Sequence, residues 1–301
     1  MPLHPAVNAS ATDSAATRMH FQFHFNGGTI EVVKFLATRN SSRRWFMLPS
    51  TRRMALGCVG FLLACQLLAA DMNSFGLRAE RAFEAAEQMS DRQPTNVTNS
   101  IHLARAAFDW ADFARTSDDR ATIAARGIEA ARSAIQRVST NAAAHYWLGM
   151  NLGQLARTKT LGALKLIREM EEEFLRARSL DSHTDFAGPD RSLGYLYRDA
   201  PGWPASIGNK KKAREHLDRA VELHPEFPDN QLALVESFAE WNESQNFARQ
   251  LKSAEAVIAQ ALDKFYGEAW ESSWADWNKR LALLKSKDRE TNRPITSKGE
   301  R

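Results

Sequence analysis

The chain has 301 residues, of which 44% are hydrophobic and 25% are charged, a composition that supports a sizeable folded core. Its formal net charge is +4, but residues 1–70 hold seven Lys or Arg and two Asp or Glu, which leaves 33 basic and 34 acidic residues in 71–301. Residues 71–301, called the body below, are therefore nearly neutral and lack the excess of positive charge typical of proteins that bind phosphate backbones. Nucleic acid is excluded as the expected partner.

The front of the chain divides into two segments. Residues 1–46 show no clear pattern, and a translation start at Met47 or Met54 would omit them, so they are set aside as an unpatterned leader. Segment 47–70 holds two arginines and then the apolar run ALGCVGFLLACQLLAA, the order found in a signal peptide or a membrane anchor. A buried helix is the remaining interpretation. The prediction is a membrane-associated protein of the periplasm or cell envelope, with a cytoplasmic location as the alternative.

Both cysteines, Cys58 and Cys65, lie in this segment, so the sequence predicts neither a disulfide nor thiol chemistry for the body. The residues Leu62-Leu63-Ala64-Cys65 resemble a bacterial lipobox, whose cysteine is lipidated and becomes the new N-terminus. Lipidation at Cys65, ordinary cleavage near Ala69 or Ala70, and a retained anchor all stay open.

From Asp71 onward the sequence predicts helix after helix, and no run alternates with the period of a strand. Residues 71–98 are predicted as a short helix (77–89) followed by a polar linker, and 99–285 as a helical-repeat domain. The predicted helix pairs are 103–114 with 121–138, 142–156 with 161–180, 188–200 with 210–223, and 229–242 with 247–265.

The last predicted helix, 268–284, has one apolar stripe formed by Trp270, Trp274, Trp277, Leu281 and Leu284. Such a stripe is typical of a helix that docks on the last repeat and caps the array. An exposed aromatic surface for a ligand is the alternative. Residues 286–301 are polar and are predicted to be a disordered tail.

Four alanines reveal the repeat: Ala134, Ala177, Ala220 and Ala261 follow each other at intervals of 43, 43 and 41 residues. A fixed period indicates stacked helix pairs, each unable to bury its apolar face alone. Residues 193–197 also fit the L-G-x-x-Y core of a tetratricopeptide (TPR) first helix. The predicted fold class is therefore an all-α, TPR-like helical-repeat solenoid of about four helix pairs with a C-terminal capping helix, and a HEAT-type array is the alternative.

First helices of such solenoids line the concave surface. Counting from the helix glycines, the side chains predicted to point there are those of Tyr146, Met150, Arg191, Tyr195 and Arg198. Arginine beside tyrosine suits the recognition of a carboxylate next to an apolar body. Packing between repeats, with some surface charge, is the competing interpretation of the same residues.

The third helix pair carries an insertion, PGWPASIGN (201–209), whose prolines and glycines forbid helix and predict a protruding loop. Insertions in solenoids often fall on the binding face. Trp203, held between Pro201 and Pro204, is the predicted anchor for a partner or ligand, because a ring held in this way loses little entropy on binding. The alternative is that Trp203 folds back onto its own repeat.

Sequence motifs for catalysis are missing, because none of the familiar hydrolase, nucleotide-binding or zinc patterns occurs. The segment Asp181-Ser182-His183-Thr184-Asp185 is the best metal candidate, but a polar turn explains it without further ligands. We therefore expect no enzyme, no catalytic residue, no metal site and no cofactor.

The stretch 187–234 resembles the tetratricopeptide-like T component of tripartite ATP-independent periplasmic (TRAP) transporters. It shares a Leu-Gly first helix, a proline-bearing loop, an Ile-Gly-Asn turn and the second helix KKAREHLDRAVEL. The resemblance implies an exported, non-catalytic transport accessory whose partner is a periplasmic substrate-binding protein or which binds a small organic ligand. A generic intracellular TPR scaffold for protein–protein interaction is the alternative.

Overall fold

A computed structural model describes residues 24–25, 28–29, 74–159 and 162–291. The predictions for the signal or anchor segment 47–70, and for lipidation at Cys65, lie outside these residues. Two short strands, β1 (His24–Phe25) and β2 (Gly28–Thr29), pair antiparallel in the segment that showed no pattern in the sequence.

The body is helical from its first described residue. Its helices are α1 (74–92), α2 (Val97–Ala111), α3 (Ser117–Arg137), α4 (Ala142–Ala156), α5 (Ala163–Leu180), α6 (Gly188–Asp199), α7 (Lys210–Leu223), α8 (Pro228–Glu240), α9 (Ser244–Ala261) and α10 (Glu271–Thr291), with a 3-10 turn at Glu268–Trp270 before α10.

Several helices begin where a side chain caps the first turn. The side chains of Asn96, Thr116, Asn141 and Asn209 each accept a hydrogen bond from the backbone N–H three residues later. Such caps satisfy backbone donors that the helix itself leaves free. Because Asn96 starts α2 at Val97, the predicted polar linker shrinks to residues 93–96.

The helices pack as consecutive pairs: α2 with α3, α4 with α5, α6 with α7, and α8 with α9, and each pair also packs on the next. The repeating alanines mark the contact, since Ala134, Ala177 and Ala220 are fully buried and Ala261 is 3% exposed. Gly194 permits a close approach of α6 and α7, because a Cβ there would lie 2.5 Å from the side chain of Leu217. This arrangement confirms the all-α, TPR-like helical-repeat fold.

Helix α10 caps the array, as predicted. It packs on α8 and α9, and its stripe buries Trp277 and Leu284 while Trp270, Trp274 and Leu281 are partly buried against the core. The indole N–H of Trp274 donates to the carbonyl of Phe265 at 2.5 Å. The helix extends to Thr291, so the predicted tail does not begin at 286; Lys, Arg and Glu in 285–291 are good helix formers and carry the helix onward.

Candidate functional site

Most of the residues predicted to face an open concave surface are buried between repeats instead. Tyr146 is fully buried, Met150, Arg191 and Tyr195 are 2%, 3% and 4% exposed, and the side chain of Arg198 is 3% exposed. The predicted orientation is therefore wrong for these five residues, because later helices cover the face on which they lie. Their role in binding a partner stays a prediction.

Arg191 and Tyr146 join three successive helix pairs through Asp185. The guanidinium of Arg191 donates to Asp185 Oδ2 at 2.9 Å and to Asn230 Oδ1 at 2.8 Å, and it lies over the ring of Phe227. The hydroxyl of Tyr146 donates to Asp185 Oδ2 at 2.7 Å, and burial raises the pKa of Tyr146 well above its usual value. The network therefore keeps a charged pair and a neutral phenol inside the solenoid.

This network also supports an unusual turn. Asp185, Phe186 and Ala187 all have positive φ, between 49° and 61°, a region that side chains with a Cβ adopt at a cost. Arg191 donates to the backbone carbonyl of Phe186 at 3.2 Å, and Asn230 donates to the same carbonyl at 3.0 Å. These two hydrogen bonds stabilise the turn that precedes α6 and sets its direction.

Tyr195 and Arg198 connect α6 to α8 and to the cap. The hydroxyl of Tyr195 donates to Glu236 at 3.1 Å and accepts from Arg280 at 2.9 Å. Arg198 donates to both oxygens of Asp199 and stacks over the ring of Tyr195. Burial raises the pKa of Tyr195, so its phenol stays neutral and serves as a hydrogen-bonding link.

Arg280 was not predicted from the sequence. It donates to Asp229 Oδ1 at 2.6 Å and to Glu236 Oε1 at 2.7 Å, and the arginine is only 9% exposed. Breaking a buried pair of this kind leaves an unpaired charge inside the protein. Arg280 thus fixes the cap to α8. Asp276, four residues earlier on the same helix, also accepts from it at 3.2 Å, but no local sequence pattern signals its distant partners Asp229 and Glu236.

Met150 has a different environment from the charged residues. Its sulfur accepts a hydrogen bond from the hydroxyl of Ser192 at 3.5 Å, which places it in the contact between α4 and α6. This is packing between repeats, the interpretation that competed with ligand binding.

Trp203 differs from the other five predicted site residues because it is 88% exposed. The interpretation in which it folds back onto its own repeat is therefore wrong. Its loop is nevertheless well braced: the N–H of Gly208 donates to the carbonyl of Pro201 at 2.8 Å, and the N–H of Asn209 donates to the carbonyl of Tyr197 at 2.8 Å. A Cβ at Gly208 would collide with the carbonyl oxygen of Ala200, so only glycine allows this closure.

The lysines that follow the loop are tied to neighbouring side chains. Lys210 pairs with Glu243 at 2.9 Å and lies over Trp241, and Lys212 lies over the ring of Tyr197. These contacts offset the unfavourable interaction of a positive charge with the start of a helix. The start of α7 is therefore held by its neighbours, directly after the loop whose Trp203 is exposed to solvent.

The segment proposed as a metal candidate forms a turn. Asp181 accepts from the backbone N–H of His183 at 2.9 Å and from the hydroxyl of Thr184 at 3.1 Å, and His183 contacts His224 at 3.1 Å. Among the described residues, no group of three or more His, Cys, Asp or Glu side chains is arranged to hold a metal ion. Within the same ranges, no helix is both long and apolar enough to span a membrane.

The stacked helix pairs and the exposed loop define a TPR-like helical-repeat protein. Residues 67–187, less than half of the chain, match the protein family described as regulator of microtubule dynamics protein 1-3. A comparison with curated proteins finds no significant match.

Two solved structures are similar to this one in the arrangement of their backbone, and both have low sequence identity to this chain. TTC0263, a thermophilic TPR protein of Thermus thermophilus, is 18% identical over 74% of this chain and 96% of that chain, with a TM-score of 0.49. MamA is 17% identical over 62% of this chain and 91% of that chain, with a TM-score of 0.43.

Proposed function

We propose that this chain is a non-catalytic, TPR-like protein that binds a partner protein through the α6–α7 loop. The observation that carries the proposal is Trp203, an 88% exposed indole on a loop closed by backbone hydrogen bonds. Tryptophan is enriched among the residues that dominate binding energy. Because the loop is already ordered, little conformational freedom is lost when the ring is buried by a partner.

For the identity of the partner, we propose microtubules or a protein bound to them. The support is the match of residues 67–187 to a family named for the regulation of microtubule dynamics. The matched residues end before α6. The match therefore supports the kind of partner, and the Trp203 loop as the binding site is supported by its exposure alone.

The test is co-sedimentation of the full-length protein with microtubules, comparing wild type with Trp203→Ala. The matched control is Tyr266→Ala, since Tyr266 is another exposed aromatic residue, 74% accessible, and lies outside the α6–α7 loop, after α9. We expect Trp203→Ala to weaken binding by about 10-fold or more, the effect of losing a binding hot spot, and Tyr266→Ala to bind as wild type.

The outcomes separate the partner from the site. If wild type does not sediment with microtubules, direct binding to microtubules is rejected, and a protein bound to them is tested by the capture below. Affinity capture with wild type and Trp203→Ala, followed by mass spectrometry, then tests the site alone. If no captured protein depends on Trp203, the loop is not the binding surface.

A second candidate function is an exported accessory of a TRAP-type transporter. It is supported by the resemblance of residues 187–234 and by the arginines and apolar run of 47–70. It requires a mature protein that begins at Cys65 or between Ala69 and Asp71, a periplasmic or envelope location, and a substrate-binding protein or small organic molecule as ligand. N-terminal sequencing of the protein from fractionated cells tests this candidate, and an intact Met1 would reject export.

A further inference from the structure

Helix α1 belongs firmly to the first repeat. Its Phe83 is 7% exposed and its ring centroid lies 4.8 Å from that of Trp110 in α2. Arg126 of α3 pairs with Glu87 at 2.8 Å and with Asp91 at 2.9 Å. These contacts fix α1 to α2 and α3.

The beginning of α1 also reaches the opposite end of the array. Arg78 Nη1 lies 2.7 Å from Glu271 Oε2 and 3.3 Å from Glu268 Oε1, although 193 and 190 residues separate these pairs along the chain. In a simple solenoid each repeat touches only its neighbours. Here the first helix of the array, α1, contacts the cap at the other end; the coiled array of stacked pairs is called the superhelix below.

The contact between the ends is not closely packed. An open groove of about 640 Å³ separates α1 from the α9–α10 turn, and it is lined by side chains that include Leu77, Leu262, Tyr266 and Trp274. Of these, Leu77, Leu262 and Tyr266 are 46%, 60% and 74% exposed. The apolar walls therefore face each other across the groove without filling it.

The groups that close the superhelix are exposed to solvent. The side chains of Arg78, Glu268 and Glu271 are 34%, 77% and 55% exposed. Ion pairs of this kind contribute little and are screened by salt. By contrast, the cap is fixed to α8 by the buried Arg280, so the end-to-end contact is the part of this region that can open first.

We propose that Arg78, Glu268 and Glu271 form an electrostatic latch that holds the superhelix closed, and that releasing the latch opens the superhelix while every repeat stays folded. Opening exposes the apolar walls of the groove. The proposal stands independently of the proposed partner and of the Trp203 loop.

The experiment measures the distance between the two ends in the full-length protein by electron-spin resonance. Cys58 and Cys65 are first replaced by Ser, and spin labels are attached to Arg115→Cys and Ala275→Cys. Both positions lie outside the buried core and neither belongs to the latch. At low salt, about 50 mM, we expect one short, narrow distance distribution for the otherwise wild-type protein.

Arg78→Glu should lengthen and broaden this distribution at low salt, because it replaces attraction by repulsion. The charge swap Arg78→Glu with Glu268→Arg and Glu271→Arg should restore the short distance. Raising the salt to about 500 mM should lengthen the distance in wild type. The matched control is Arg132→Glu, which breaks an exposed pair with Glu169 inside the array and should leave the distance unchanged.

Circular dichroism and urea melts of each variant verify that the repeats remain folded. A distribution that is the same for wild type and Arg78→Glu at both salt concentrations would overturn the proposal. So would a folded charge-swap variant that keeps the long distance, because the effect of Arg78→Glu would then not arise from its pairing with the cap.

Discussion

The C-terminal cap and the α6–α7 loop both present tryptophan, and the two regions use it in opposite ways. In the cap, Trp277 is 1% exposed and its ring lies within 6 Å of those of Phe265, Trp270 and Trp274. In the loop, Trp203 is 88% exposed. The cap uses the indole for packing, and the loop leaves it available to a partner.

The difference comes from the backbone that carries each ring. Helical spacing of three and four residues turns the aromatic side chains of the cap toward one face, where α8 and α9 cover them. The loop is closed instead by the hydrogen bond from Gly208 to Pro201, and Trp203 at its tip stays open to solvent. Residue type alone therefore does not distinguish a buried tryptophan from an exposed one; the local backbone does.

The largest expected effect tests this comparison directly. Trp277→Ala should lower the free energy of unfolding by about 3–5 kcal/mol, as the removal of a buried aromatic ring does. Trp203→Ala should change it by less than about 0.5 kcal/mol, the range for surface positions. Equilibrium urea melts measure both. Equal losses for the two variants would show that the loop tryptophan also contributes to packing.

The second effect concerns the buried helix contact beneath the loop. Leu217 is fully buried, and Leu217→Ala should cost about 2–4 kcal/mol. Gly194→Ala should be unfavourable in wild type, since its Cβ would lie 2.5 Å from Leu217. In the Leu217→Ala background the same change should become favourable, because space is free and alanine favours helix by about 1 kcal/mol over glycine.

A double-mutant cycle from urea melts measures this coupling, which we expect to lie at about 1–3 kcal/mol. Additive losses within about 0.5 kcal/mol would mean that Gly194 and Leu217 are not in contact, and the assignment of repeat register would then be wrong.

Much of the fold could be predicted from the sequence because it depends on local, repeating signals. The alanines at 134, 177, 220 and 261 mark small residues at helix contacts, and the glycines and prolines of 201–209 mark the end of a helix. The prediction of a cap rested on a stripe with helical spacing. Each of these features is visible within one or two helical turns.

The candidate site was harder to predict because its contacts lie far apart in the chain. Arg280 donates to Tyr195 across 85 residues and to Asp229 across 51, and no local pattern connects them. Arg191 and Tyr195 matched the pattern of an open concave face, yet α8 and the cap cover them. The sequence indicates a polar turn at 181–185, but the positive φ of Asp185, Phe186 and Ala187 could not be predicted, because no glycine marks these positions.

The smallest expected effect concerns Asp109, whose exposure lies between that of Trp277 in the cap and that of Trp203 in the loop. Asp109 exposes 52% of its side chain and has Arg105 only at 3.9 Å, but the surrounding protein removes part of its hydration and raises its pKa to about 7. Since the folded state then binds this proton more tightly than the unfolded chain, Asp109 should lower stability as the pH rises from about 4 to 7.

Asp109→Asn removes this titration. The unfolding free energy of the variant should therefore fall less than that of wild type between pH 5 and pH 8, by less than about 1 kcal/mol because solvent screens a half-exposed group. Urea melts at both pH values measure the difference, and Asp118→Asn, at an exposed position in the first turn of α3, is the control. An identical pH dependence for wild type and Asp109→Asn would show that the environment of Asp109 resembles that of the exposed loop. A smaller decline for the variant would show that the surroundings of Asp109 disfavour its charged form, mainly through partial dehydration and also through the nearby Asp112 and Asp185.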